Sequence, residues 1–136
     1  MALAREFLVD QPDVVRTVVE RDWWQVASLG AALADARVTC LPAAHFSGRT
    51  PFDRDRTLWC GWALELAGRR VYFVGDTGLH PEFEAIGRHL GALDAVLMPI
   101  GAYDPPSGRE VHMNPEEALR AFVELGARRM VPMHYG

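Results

Sequence analysis

The stretch "RRVYFVGDTG", residues 69–78, runs apolar through Phe73 and Val74 and then stops on Gly75-Asp76-Thr77-Gly78. A β-branched and aromatic run bounded by glycine reads as a strand. Its end is a carboxylate between two glycines. Asp76 in Gly-Asp-Thr-Gly can simply make an Asx turn. In α/β sheets, however, ligands sit just beyond the carboxyl ends of strands, so Asp76 is also a candidate for holding something there.

Working outward, "TLWCGWALELAG" (57–68) alternates large apolar residues and turns at Gly68, so it pairs with 69–74 as a hairpin. "ARVTCLPAA" (36–44) reads as a further strand ended by Pro42, "VVRTVVE" (14–20) as another, and residues 1–9 as a helix end. Downstream, "PEFEAIGRHLG" (81–91) reads as a helix with Pro81 at its first position and Gly91 at its close. "DAVLMPIG" (94–101) is continuously apolar, as expected of a strand buried on both faces. Asn114-Pro115-Glu116-Glu117 supplies cap, first-position proline and first-turn acids, and Gly126 ends that helix. "RRMVPMHYG" (128–136) is a last strand with His134 at its tip. From residue 69 the order is strand, helix, strand, helix, strand, which predicts α/β layering.

The totals narrow the class. A chain of 136 residues, 49% apolar, makes one small domain with a single core. The net charge is -4 and no basic run exists, which argues against nucleic acid. In "GRTPFDRDR" (48–56) Asp53 and Asp55 interleave with the arginines, as in a solvated loop. Cys40 and Cys60 are the only cysteines, each in an apolar run, and read as small buried hydrophobes. No signal peptide and no apolar run of membrane length is present, so a cytoplasmic protein is expected.

Three metal-ligand types fall at strand ends: His45 after "CLPAA", Asp76 after "VYFVG", and His134 after "MVPM". Two histidines and a carboxylate can hold zinc or a similar ion, which makes hydroxide available near neutral pH. Taken singly, each histidine reads as well as a surface or hydrogen-bonded core residue. His80 reads as a cap or surface group, and His89 suits the dipole at a helix C-terminus. His112, after the Pro/Gly-rich "PIGAYDPPSGRE" (99–110), is balanced between a cleft-lining and a structural role. Trp23, Trp24, Trp59 and Trp62 read as packing residues, though "DWW" (22–24) can also face an apolar substrate. A phospho-accepting Asp76 would want an acidic pair at an earlier strand end, and none is evident.

Six segments in one order change the weighing: "DWWQ" (22–25), "LPAAHFSGRTPFDRDRTLW" (41–59), "YFVGDTG" (72–78), "MPIGAYDPP" (98–106), "HMNPEEA" (112–118) and "PMHYG" (132–136). Together they resemble the metallo-β-lactamase-fold hydrolases, in the branch of the N-acyl-phosphatidylethanolamine-hydrolysing phospholipase D. The resemblance covers residues 14–136. It implies that His45 completes the ligand set of a first metal, that Asp76 bridges two metals, and that His134 binds the second. It implies a cleft-lining, catalytic His112 and flanking, substrate-binding roles for Arg49 and Tyr103. A metal-bound hydroxide would attack a phosphodiester, such as a phospholipid head group. The metal would be zinc, with manganese and iron as alternatives.

The family's His-x-His-x-Asp-His motif lies before "DWW", whereas the first histidine here is His45. Residues 1–136 are therefore expected to form one partial domain, the C-terminal half of an αββα sandwich: one mixed sheet with helices on one face. Of the family's two metals, one or none is expected here. Half a sandwich leaves a sheet face unburied, so a homodimer packed through that face is expected. The reading alternative to a hydrolase is a catalytically inactive assembly module with a vestigial half-site.

Overall fold

The computed structural model describes residues 19–29, 35–48, 52–103 and 110–135. Among these residues, six strands form one sheet in sequence order: β1 (Val26–Ser28), β2 (Arg37–Pro42), β3 (Cys60–Leu66), β4 (Arg69–Phe73), β5 (Ala95–Pro99) and β6 (Met130–Met133). The first four pair antiparallel, and β4, β5 and β6 run parallel. The helices α1 (Phe83–Leu90) and α2 (Pro115–Leu125) are the crossovers that parallel neighbours require. This is the α/β layering expected from the strand-helix alternation after residue 69.

Side-chain alternation splits the sheet into two unlike faces. Thr39, Ala63, Tyr72, Val96 and Met130 lie in register across five strands. Their row packs under Phe83, Ile86, Leu90, Ala118, Ala121 and Leu125 of the helices. The opposite row is Cys40, Trp62, Phe73, Leu97 and Val131. Cys40 is buried there, Trp62 and Leu97 are half-buried, and Phe73 is 46% and Val131 47% exposed, so among the described residues this apolar face is uncovered from β4 to β6. β5 was expected to be buried on both faces. Val96 and Met98 are buried, but Leu97 is only half-buried, because helices cover one side alone.

Local chemistry explains the connections. The β3–β4 turn is Ala67-Gly68, with φ of 50° and 71°. Positive φ at both central residues is the twist that a two-residue hairpin needs. Helix α2 starts with a reciprocal cap: the Asn114 side chain accepts from Glu117 N–H at 2.8 Å, and the Glu117 carboxylate accepts from Asn114 N–H at 3.1 Å. Asn114→Ala is expected to lower unfolding free energy by about 1 kcal/mol; chemical denaturation would check it, and an unchanged midpoint would deny the cap its role. Helix α1 begins later than Pro81 suggested. Its first residue is Phe83 and its N-cap is Glu82, whose side chain makes no capping bond.

Gly87 lets the two helices approach closely. A Cβ there would lie 2.6 Å from the Leu125 carbonyl oxygen. At the far edge, Val96 N–H donates to Arg129 C=O at 2.9 Å and Ile100 N–H to Met133 C=O at 3.1 Å. Alternate residues of a parallel strand point their backbone groups to opposite sides, so Pro132 turns its donorless nitrogen to the open edge. The strand predicted at 14–20 and the helix end at 1–9 lie outside the described residues, apart from Val19 and Glu20, which are not in a strand. Cys40 is buried as expected; Cys60 is only half-buried.

Candidate metal centre

Beyond β4 the chain is held until it reaches Asp76. Val74 N–H donates to Leu97 C=O at 3.1 Å, and Gly75 turns with φ 73°. The carbonyl of Asp76 accepts from the Trp59 indole N–H at 2.8 Å. Thr77 is fully buried; its hydroxyl accepts from Ala44 N–H at 2.8 Å and donates to the Gly78 carbonyl at 2.9 Å. Gly78 N–H returns to Ala44 C=O at 2.9 Å. These bonds fasten the segment carrying His45 beside the segment carrying Asp76.

His134 follows β6 directly and adopts φ 51°, a left-handed conformation that non-glycine residues take only where neighbours enforce it. Gly101 supplies room, since a Cβ there would collide with the His134 carbonyl. His112 is placed by its neighbour: Ala102 N–H donates to Met113 C=O at 3.1 Å. A Cβ on Gly78 would strike the Glu110 carbonyl, so that segment lies tight against the Asp76 turn.

Four side chains meet at this end of the sheet. His134 Nδ1 lies 3.2 Å from an Asp76 carboxylate oxygen. The His112 ring centroid is 5.4 Å from that of His134 and 5.1 Å from that of His45. His45 is sandwiched by Phe46 and Trp59, at 4.6 and 4.4 Å between centroids. Its Nδ1 is 2.8 Å from the Phe46 carbonyl. A carbonyl only accepts, so Nδ1 carries a proton, and in the neutral ring Nε2 is the nitrogen with the lone pair. Burial, and then the neighbouring His45 and His134, lower the pKa of His112, against an opposing pull from Asp76. Its Nδ1 is buried without a partner.

The donor chemistry suits a divalent ion: imidazoles, a carboxylate, and one imidazole oriented by a backbone carbonyl as metal-bound histidines usually are. The positions stop short of a closed site. Among the described residues, no group of three or more histidine, cysteine or acidic donors is arranged to hold an ion. Of the remaining sequence candidates, Tyr103 stands 69% exposed beyond β5, and Arg49 lies outside the described residues. Trp59, which reads from sequence as a packing residue, and Thr77, which the sequence does not single out, hold the site together. Their only sequence signal is position: Thr77 directly follows Asp76, and Trp59 closes the segment that His45 opens.

Residues 2–135 match the family described as "Beta-lactamase superfamily domain". An uncharacterized protein of Mycobacterium tuberculosis is 43% identical over 122 residues, covering 88% of this chain and 31% of the relative. The N-acyl-phosphatidylethanolamine-hydrolyzing phospholipase D 1 of Caenorhabditis elegans is 37% identical over 126 residues, covering 91% of this chain and 35% of that protein. This chain thus spans about a third of the length of these curated relatives. Among solved structures, Igni18 of Ignicoccus hospitalis, described as a novel metallo hydrolase, matches with a TM-score of 0.72 and 30% identity, over 96% of this chain and 51% of that chain. Its sequence and its mixed sheet together make this chain a member of the beta-lactamase superfamily, with the metallo-β-lactamase fold.

Proposed function

We propose that this chain is the C-terminal half of a metal-dependent hydrolase acting on a phosphodiester, of phospholipase D-like type. The observation that carries this is the meeting of His45, Asp76, His112 and His134 at one sheet end. The 37% identity to a phospholipase D of known lipid class favours a phosphodiester over other esters. His45, Asp76 and His134 would hold the ion. Zinc, manganese and iron all accept such donors. When bound, a divalent ion supplies Lewis acidity and a hydroxide near neutral pH. His112, its pKa lowered mainly by burial, would line the cleft and contact the phosphate or the leaving group. Arg49 and Tyr103 would flank the substrate.

The remaining ligands would come from outside residues 1–136 or from another subunit. The exposed Phe73 and Val131 and the half-buried Trp62 and Leu97 of that sheet face support association through it, as a homodimer or against another half-domain. No described helix is long and apolar enough to cross a membrane; a cytoplasmic location is part of the proposal. The open donor arrangement favours a second reading, an inactive assembly module with a vestigial site.

Elemental analysis of tag-free protein separates the two. The hydrolase reading expects about one retained ion per chain, lost in His134→Ala, and cleavage of a chromogenic phosphodiester once a partner completes the site. A folded wild-type chain that retains no ion after exposure to zinc, manganese and iron would leave only the module.

A further inference from the structure

A cavity of about 350 Å³ lies on another side of the His45 segment. Its described lining is Trp23 and Trp24, the end of β2 at Pro42, Ala43 and Ala44, and His80 and Glu82 ahead of α1. The volume falls within the range of small-molecule pockets.

Each tryptophan is 37% exposed yet fixed in place. Trp23 donates its indole N–H to the Trp59 carbonyl at 2.9 Å. Trp24 adopts φ 69°, an outlier for a bulky side chain, and is held by its N–H on the Cys40 carbonyl at 2.7 Å. Its ring meets His89 edge-on at 5.3 Å between centroids. Such strain persists only where surroundings enforce it, and it concentrates at ligand sites.

The charge in the cavity has one sign. Glu82 makes no side-chain capping bond and has no cationic partner among the described residues. His80 lies against Phe83 at 4.1 Å, and its Nδ1 accepts from Glu82 N–H at 3.3 Å. Burial holds its pKa down at about 4, so at neutral pH it adds no positive charge. Two indole rings, one carboxylate and a small apolar floor form an environment that attracts a cation with a greasy surface. An anion would meet Glu82 unscreened, and a neutral apolar ligand would leave the carboxylate unused.

We infer that the cavity between Trp23, Trp24 and Glu82 is a binding site for a methylated alkylammonium group, of the size and charge of a choline head. The assignment does not depend on the hydrolase reading. The cavity nonetheless adjoins the histidine cluster twice: Ala44 precedes His45, and Trp23 bonds to Trp59, whose indole bonds to Asp76. An occupant would press on the same residues that fix the candidate metal centre.

The test is titration of the full chain with choline chloride, followed by tryptophan fluorescence and calorimetry. The neutral isostere 3,3-dimethylbutan-1-ol serves as comparison. Choline is expected to bind saturably and at least ~10-fold more tightly than the alcohol, with Glu82→Gln and Trp23→Leu each weakening it about 10-fold. Equal affinity for the alcohol, or affinity unchanged in Glu82→Gln, would overturn the site as a cation site. So would the absence of saturable choline binding. Glu82 is exposed, so that variant keeps the test sharp even if Trp23→Leu disturbs folding.

Discussion

Truncating Phe83 to alanine is expected to lower unfolding free energy by about 3–5 kcal/mol. Phe83 is fully buried at the first position of α1, where it packs with Ile86 and Leu90 onto the sheet. The described core lies on one face of the sheet, so no second layer makes up the loss. Domains of this kind total about 5–15 kcal/mol, so the variant would lose a large share of its margin. Urea unfolding followed by far-UV circular dichroism measures it. Val123→Ala, on the exposed side of α2 at 72% exposure, is the control, with an expected change within about 0.5 kcal/mol. Equal midpoints for the two variants would mean that α1 is not docked as described. The same interface predicts that Gly87→Ala brings no gain from helix propensity, because the added methyl meets the Leu125 backbone.

Acidification is expected to weaken the fold well before the carboxylates titrate. Burial lowers His80 to about 4 in the folded chain, against about 6.5 when unfolded. Above pH 6.5 the residue is neutral in both states and contributes nothing to the difference. Between about pH 6.5 and 4 the unfolded chain takes up the proton and the folded chain does not, so stability falls as pH falls. With His80 partly open to solvent, the loss is about 1–3 kcal/mol. Asp94 and Glu65 shift in a separate window. Arg70 and Arg69 lower the Asp94 pKa, and Arg70 lowers that of Glu65, so their stabilisation is lost only as pH falls through those depressed values. Urea midpoints at pH 7, 5.5 and 4.5 would show the slope, and His80→Asn should flatten most of it. His112, lowered in the same direction, leaves a shallower remainder. An identical slope in the variant would remove His80 from the account.

Much of the sheet from β3 onward was legible because its signals are local. Gly126 and the Asn114 cap mark α2, and Ala67-Gly68 marks the hairpin. The three strand-end ligand types were legible by position. Their meeting was not, because it rests on long-range devices that leave no periodicity: the Thr77 hydroxyl between two segments, and the close backbone contacts at Gly78 and Gly101. Pro81 misled because a proline in a turn before a helix looks like one inside it. The half-burial of Leu97 was misjudged because an apolar run does not reveal whether its second face has a cover. The sequence leaves the two tryptophans of "DWW" between packing and facing an apolar substrate; the strained backbone at Trp24 and the cavity they line set them apart.

Pro132 bears on how copies of this chain can meet. A β-edge with its full set of donors can recruit another edge and extend the sheet into a ribbon without limit. Among the described residues, one edge strand is three residues long, and the other lacks a donor where it would need one. In the homodimer proposed above, copies would meet face to face, with sheets about 10 Å apart, and give closed pairs in place of laterally grown fibres.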